Sequence, residues 1–147
     1  QDPRINSLSK FNCIAACIEA ESSGADEGLM LDKDGNVSTC NSTNFFIIKN
    51  DEVWTSTGKY CLPGITRNTV IDLCKENAIP VFEKNFVLSD VHTADESFVT
   101  GTFAGIIPVR EIDGNILSAG QSVTITQRLQ ELYIQKLDNL YPKKCDE

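Results

Sequence analysis

Two short stretches carry the residue types needed to hold a small anion on backbone amides. The first is Leu62-Pro63-Gly64-Ile65-Thr66-Arg67, where a Pro-Gly turn runs into a helical pattern. A helix start exposes N–H groups with no partner of their own, and the helix dipole adds positive potential there. Thr66 can add a hydroxyl, to a ligand or as an ordinary cap. The second is Thr100-Gly101-Thr102-Phe103-Ala104-Gly105, a strand-like run that ends in small residues and hydroxyls. Small residues let backbone come close to a ligand. Taken singly, each is more readily an ordinary connection: a capped strand-to-helix turn, and a bend relieved by glycine. Taken together, they suggest one phosphate held from two sides.

The other reactive side chains form no constellation. His92 is the single histidine and has no partner nearby in sequence, so a surface or capping role is expected. The six cysteines (13, 17, 40, 61, 74 and 145) are scattered, with no CxxC pair. That argues against zinc, and for buried or free thiols in a reducing compartment. Asp95-Glu96 reads as a helix end or cap. Trp54 and Tyr60 read as packing residues. No GxSxG, HExxH or Walker loop occurs. The triplets Asn36-Val37-Ser38 and Asn41-Ser42-Thr43 match a glycosylation pattern that is common by chance.

The elements that must position these residues follow from periodicity and turn chemistry. Residues 7–22 are helical, with Phe11, Ile14, Cys17 and Ile18 on one stripe. Strands are predicted at 28–32, 37–40 and 44–50, the last forming a hairpin through Asn50-Asp51. Residues 66–79 form an amphipathic helix with Val70, Leu73, Cys74 and Ile79 on its inner face. Strands follow at 81–86 and 97–103, with a short helix or turn at 88–95 between them. Two strands joined at Asp113-Gly114 come next, and then a terminal helix over 122–141. Strands and helices interleave, which gives a mixed α/β domain. The 147 residues suit one domain without a linker.

Composition narrows the function further. Apolar residues make up 41% and charged residues 23%, as expected of a globular, soluble chain. The net charge of −8 argues against nucleic acid or an anionic membrane as partner. No apolar run reaches the ~18 residues of a membrane span. The chain opens QDPR, without Met or an apolar signal core, so a longer product and a cytoplasmic setting are expected.

Three blocks in order, GADEGLMLDKDGNVSTCNSTNFFIIKN, VWTSTGKYCLPGITR and ADESFVTGTFAGIIPVREIDG, closely resemble the C-terminal domain of the fold-type IV pyridoxal-phosphate enzymes. These are the class IV aminotransferases, branched-chain and D-amino-acid types included, with aminodeoxychorismate lyase as a relative. The resemblance runs from about residue 3 to about residue 135. It implies a barrel-like mixed sheet with surrounding helices, pyridoxal 5′-phosphate as cofactor, and an amino acid and a 2-oxo acid as substrates. It also implies a homodimer and an N-terminal domain that this chain lacks. Ile65 and Thr66 fall where the family's first turn gives amides to the phosphate, and Thr102 and Phe103 where its second does. Leu62 falls where an apolar side chain covers the ring.

Two positions depart from the family. Asn6 stands in the slot of the lysine that joins the cofactor, and an amide cannot replace an amine there. Lys10, about one helical turn later and on much the same face, is the candidate in its place. Thr39 stands in the slot of the acid that pairs with the pyridine nitrogen. A hydroxyl can hydrogen-bond that nitrogen without keeping it protonated, so the ring becomes a weaker electron sink. Three readings stay open: a transaminase with altered chemistry, a non-catalytic binding module, and a lyase.

Overall fold

The computed structural model describes residues 10–117 and 124–142. The chain opens with α1 (Phe11–Ser22) and the ribbon of β1 (Leu29–Leu31) and β2 (Val37–Cys40). Then come β3 (Asn44–Lys49), β4 (Glu52–Thr55), α2 (Ile65–Glu76), β5 (Val81–Glu83), α3 (Leu88–His92), β6 (Glu96–Gly101) and β7 (Gly105–Pro108). The small ribbon β8 (Glu111–Ile112) and β9 (Asn115–Ile116) and the helix α4 (Ile125–Leu140) complete it. Five strands form one sheet in the order β5-β4-β3-β6-β7. Within that sheet only β4 and β5 are parallel, joined through α2. The sheet does not close into the expected barrel among the described residues: β5 and β7 are its edges, and the other strands form separate ribbons.

The core follows from β3, whose apolar run Phe45-Phe46-Ile47-Ile48 is buried on both faces. Successive side chains point to opposite sides of a strand. Phe46 and Ile48 accordingly pack with Val70, Leu73, Cys74, Phe98 and Leu129, beneath α2 and α4. Phe45 and Ile47 pack with Val37, Cys40, Phe86 and Val91 on the other side. Phe46 faces Phe98 across the β3–β6 ladder with rings stacked at 4.7 Å. An aromatic pair of this kind adds about 0.5–1.5 kcal/mol beyond the area it buries.

The turns follow local chemistry. Asn50 and Asp51 both have positive φ, which suits the two-residue turn of a right-twisted hairpin. Asp113-Gly114 makes the same kind of turn between β8 and β9. Residues 105–116 therefore hold three short strands rather than two, because β7 pairs back onto β6. The acidic pair acts as caps. Asp95 Oδ2 accepts from Asn50 N at 2.8 Å, and the Glu96 carboxylate accepts from Ile125 N and Thr126 N, both at 3.0 Å. His92 lies 3.7 Å from Asp113 at the surface. Trp54 packs edge-on to Phe86, with the Lys84 ammonium over its ring, rather than on Tyr60.

The stripe on α1 differs from expectation. Phe11 (79% exposed), Ile14, Cys17 and Ile18 face outward, and only Ala20 is buried. The helix meets the ribbon along its small residues instead: a Cβ on Gly28 would lie 2.9 Å from the Ala16 carbonyl oxygen.

One buried charge ties α2 to the sheet. Arg67, 3% exposed, donates through Nη2 to the Ser56 carbonyl at 2.6 Å and to Glu83 Oε2 at 2.8 Å. Those partners lie at the carboxyl ends of β4 and β5, so the guanidinium fixes where α2 begins. Arg67→Met is expected to lower stability by about 1–3 kcal/mol, through a buried carbonyl left without its donor. Arg67→Lys is expected to recover little of this, because one ammonium does not reproduce the planar fork. Urea denaturation checks both.

Cys40 and Cys74 are buried thiols, each pushed up to about 12, chiefly by burial. The negative charge of Glu27 adds to the shift at Cys40. A folded value above the unfolded one leaves stability intact below about pH 9, and stability falls as pH rises toward 12. Alkylation with iodoacetamide at pH 8 and peptide mapping should label the exposed Cys17 and spare Cys40 and Cys74 until the chain unfolds.

Candidate functional site

β4 and β6 both run antiparallel to β3, one on each side of it. Their carboxyl ends therefore flank the first residue of β3, Asn44. Each expected anion-holding turn leaves one of those ends. The chain after β4 runs through 56–64 into α2, and the chain after β6 runs through Gly101–Ala104 into β7. The topology thus brings the two turns to one edge of the sheet. Ligands in open α/β sheets commonly bind at the carboxyl ends of strands.

The first turn is built around Gly64. This residue, not Thr66, is the N-cap of α2, and no side chain caps the helix among the described residues. Thr66 is instead the second helical residue and is 5% exposed. The first intrahelical bond is Asn68 N to Gly64 O at 3.0 Å, so the amides of Ile65, Thr66 and Arg67 come before the ladder begins. Gly64 has φ of −64°, which any residue adopts. Its lack of a side chain is a matter of space: a Cβ would lie well inside van der Waals contact with Asn44 Oδ1. Leu62 and Ile65 stand at the rim with exposed side chains.

The start of α4 shows what such a helix end does when it is filled. There Thr124 Oγ1 accepts from Gln127 N at 3.1 Å, and the Glu96 carboxylate covers the next two amides. The α4 start is thus filled by an internal anion, whereas the α2 start has no side-chain partner among the described residues and lies beside a glycine.

In the second turn Thr102 and Phe103 are exposed, Phe103 completely. Gly105, with φ of +67°, closes the turn against α4, where a Cβ would lie 2.9 Å from the Tyr133 ring. Thr100, opposite Asn44 in the ladder, is buried, and its hydroxyl has no partner among the described residues. Thr39 is half-buried on β2 and donates its hydroxyl to the Thr43 carbonyl at 2.7 Å. The Thr43 methyl in turn lies 3.4 Å from where a Cβ on Gly101 would be. Thr39 is thereby linked to the second turn through a single residue. Lys10 is the exposed N-cap residue of α1. Asn6 lies outside the described residues.

Sequence reasoning missed two polar groups. Asn44 opens an apolar strand, and its polarity there was the available signal. Glu27 accepts hydrogen bonds from the Ser42 and Thr43 hydroxyls, and Gly28 N donates to Asn41 Oδ1 at 2.7 Å. These contacts tie the turn after β2 to the chain entering β1, and no spacing rule signals them.

Comparison with known proteins identifies the family and its fold. The family model for amino-transferase class IV matches residues 1–112. The branched-chain-amino-acid aminotransferase-like protein 2 of Arabidopsis thaliana is 45% identical over 93% of this chain, which covers 24% of that protein. The branched-chain-amino-acid aminotransferase of Pseudomonas aeruginosa is 43% identical over 84% of the chain, covering 40% of it. Among solved structures, the branched-chain aminotransferase of the archaeon Thermoproteus uzoniensis with norvaline superposes with a TM-score of 0.82 at 36% identity. That match covers 90% of this chain and 44% of that one. The chain spans between a quarter and a half of the length of these relatives. With a family model over most of its length and that family's fold around two converging turns, the chain belongs to the class IV aminotransferases.

Proposed function

We propose that this chain is the cofactor-holding part of a pyridoxal-phosphate-dependent aminotransferase of branched-chain type. The reaction moves an amino group between an amino acid and a 2-oxo acid. The carrying observation is the bare start of α2, set beside Asn44 with the turn after β6 on the other side. Three amides without a partner among the described residues, a position that excludes even a methyl group and a helix dipole suit a phosphate monoester. Ile65 and Thr66 hold it on one side, Thr102 and Phe103 on the other, and Leu62 covers the ring. The rest of the substrate pocket belongs to the portion by which the relatives are longer, and the working unit is a homodimer in the cytoplasm.

Pyridoxal phosphate, when bound, supplies an electron sink for a bond at the substrate's α-carbon. The chain supplies the groups around it. Lys10 is the amine offered to the cofactor's aldehyde, and once free it serves as the base that moves the α-proton. Thr39 is the contact to the pyridine nitrogen. Its own hydrogen is engaged by the Thr43 carbonyl, so its oxygen could meet that nitrogen only as an acceptor without a full charge. This supports a ring whose nitrogen is protonated less than beside a carboxylate, and a slower removal of the α-proton.

Borohydride reduction of the full-length protein with pyridoxal phosphate, followed by peptide mapping, is expected to leave the label on Lys10. A label on another lysine removes that assignment. Phosphate-dependent binding without any label returns the non-catalytic reading that Thr39 and Asn6 suggest. Thr39→Glu is expected to raise the ring-nitrogen pKa by about 1–3 units, as an opposite charge at short range does. The pH dependence of the bound cofactor's absorbance measures this, and an unchanged titration moves Thr39 away from the nitrogen.

A further inference from the structure

The side-chain amide of Asn44 meets the first turn, while the residue's backbone lies in the ladder beside the second. It is 8% exposed, and its Nδ2 donates to the Leu62 carbonyl at 3.0 Å. That carbonyl also accepts from Gly64 N at 2.8 Å, so the two bonds together shape the tight bend at Pro63. The other end of the amide, Oδ1, occupies the space beside Gly64 where a side chain would be. Meanwhile the Asn44 backbone sits in the ladder opposite Thr100, one residue before the second turn. Its neighbour Thr43 lies against Gly101, the last residue of β6, from which that turn leaves.

We infer that Asn44 is the positioning residue that sets the spacing between the two backbone turns, and through them the grip on a phosphoester. The inference rests on the phosphate reading above and adds the element that makes two separate turns one site. Strand β3 carries the residue, the ladder fixes it to the second turn, and its side chain fixes the first. Neither turn has another side-chain link to β3 among the hydrogen bonds of the described residues. A shorter side chain would release Leu62 and let the Leu62–Gly64 bend shift relative to the second turn, while Arg67 still holds the body of α2. The fold would persist, because the core contacts of β3 come from Phe45 to Ile48.

The test uses the full-length protein and compares pyridoxal 5′-phosphate with pyridoxal, which lacks the ester, and with inorganic phosphate. Asn44→Ala is expected to weaken the phosphate-bearing probes by about tenfold, the size of one buried hydrogen bond lost, and to leave pyridoxal within about twofold. Asn44→Asp keeps the volume and removes the donor to Leu62, so it serves if the alanine variant does not fold, with the same selective loss expected. Gly64→Ala should cause a similar loss in the wild-type background and little further loss in the Asn44→Ala background, since the obstructing amide is then gone. Equal weakening of all probes, or additive effects of the two substitutions, would overturn the positioning role. A wild-type protein that binds pyridoxal and its phosphate equally would instead overturn the phosphate reading itself.

Discussion

The antiparallel pairing of β3 with strands on both sides is the constraint on which the rest depends. A strand flanked by two antiparallel neighbours has both of their carboxyl ends beside its own amino end. Whatever leaves those ends is brought to one place, however far apart it lies in sequence. Here 34 residues separate Ile65, which opens α2, from Val99, near the end of β6, yet both segments border Asn44. The convergence costs the site nothing in long side chains. Backbone amides, a glycine and a short amide side chain do the positioning, which suits a ligand group that is itself small and charged.

The same fold uses two helix starts in opposite ways. At α4 a carboxylate from the neighbouring strand β6 neutralises the free amides, and the helix is thereby anchored across the sheet. At α2 the anchoring is given to Arg67, which enters from the helix side and holds Ser56 and Glu83. The helix is fixed while its first amides have no partner among the described residues. If a carboxylate did the fixing at α2, it would occupy the place an external anion needs. A buried cation holds the helix without competing for that place and adds positive potential nearby.

Much of this was legible in the residues. The run FFII in β3, the hairpin at Asn50-Asp51 and the inner face of α2 follow from period, turn chemistry and burial. Both anion-holding turns were visible as glycine and hydroxyl clusters. Their meeting at Asn44 was not, since it depends on strand order, which no local pattern encodes. The cap of α2 is not the expected Thr66: a hydroxyl near a helix start usually marks the cap, whereas here close approach to Asn44 puts a glycine there. The apolar stripe of α1 faces outward because Ala16, on another face, makes the close contact with Gly28. A stripe in sequence says which face is apolar, not which face the neighbouring backbone can approach.

The two ends of the candidate site differ in kind. The proposed phosphate end would be made of backbone, and backbone survives most substitutions as long as Gly64, Asn44 and the Arg67 anchor are kept. The nitrogen end rests on one side chain, and there Thr39 has given its hydrogen to the Thr43 carbonyl. The nearby carboxylate of Glu27 is held by Ser42 and Thr43 and raises the Cys40 thiol, which follows Thr39 on β2. Consecutive strand residues point to opposite faces, so that charge lies on the Cys40 side rather than the Thr39 side. On the proposed reading, binding of the phosphate and the electronic state of the ring would be set by separate residues on separate strands. On that reading, a chain built this way would change its chemistry at Thr39 without losing its grip.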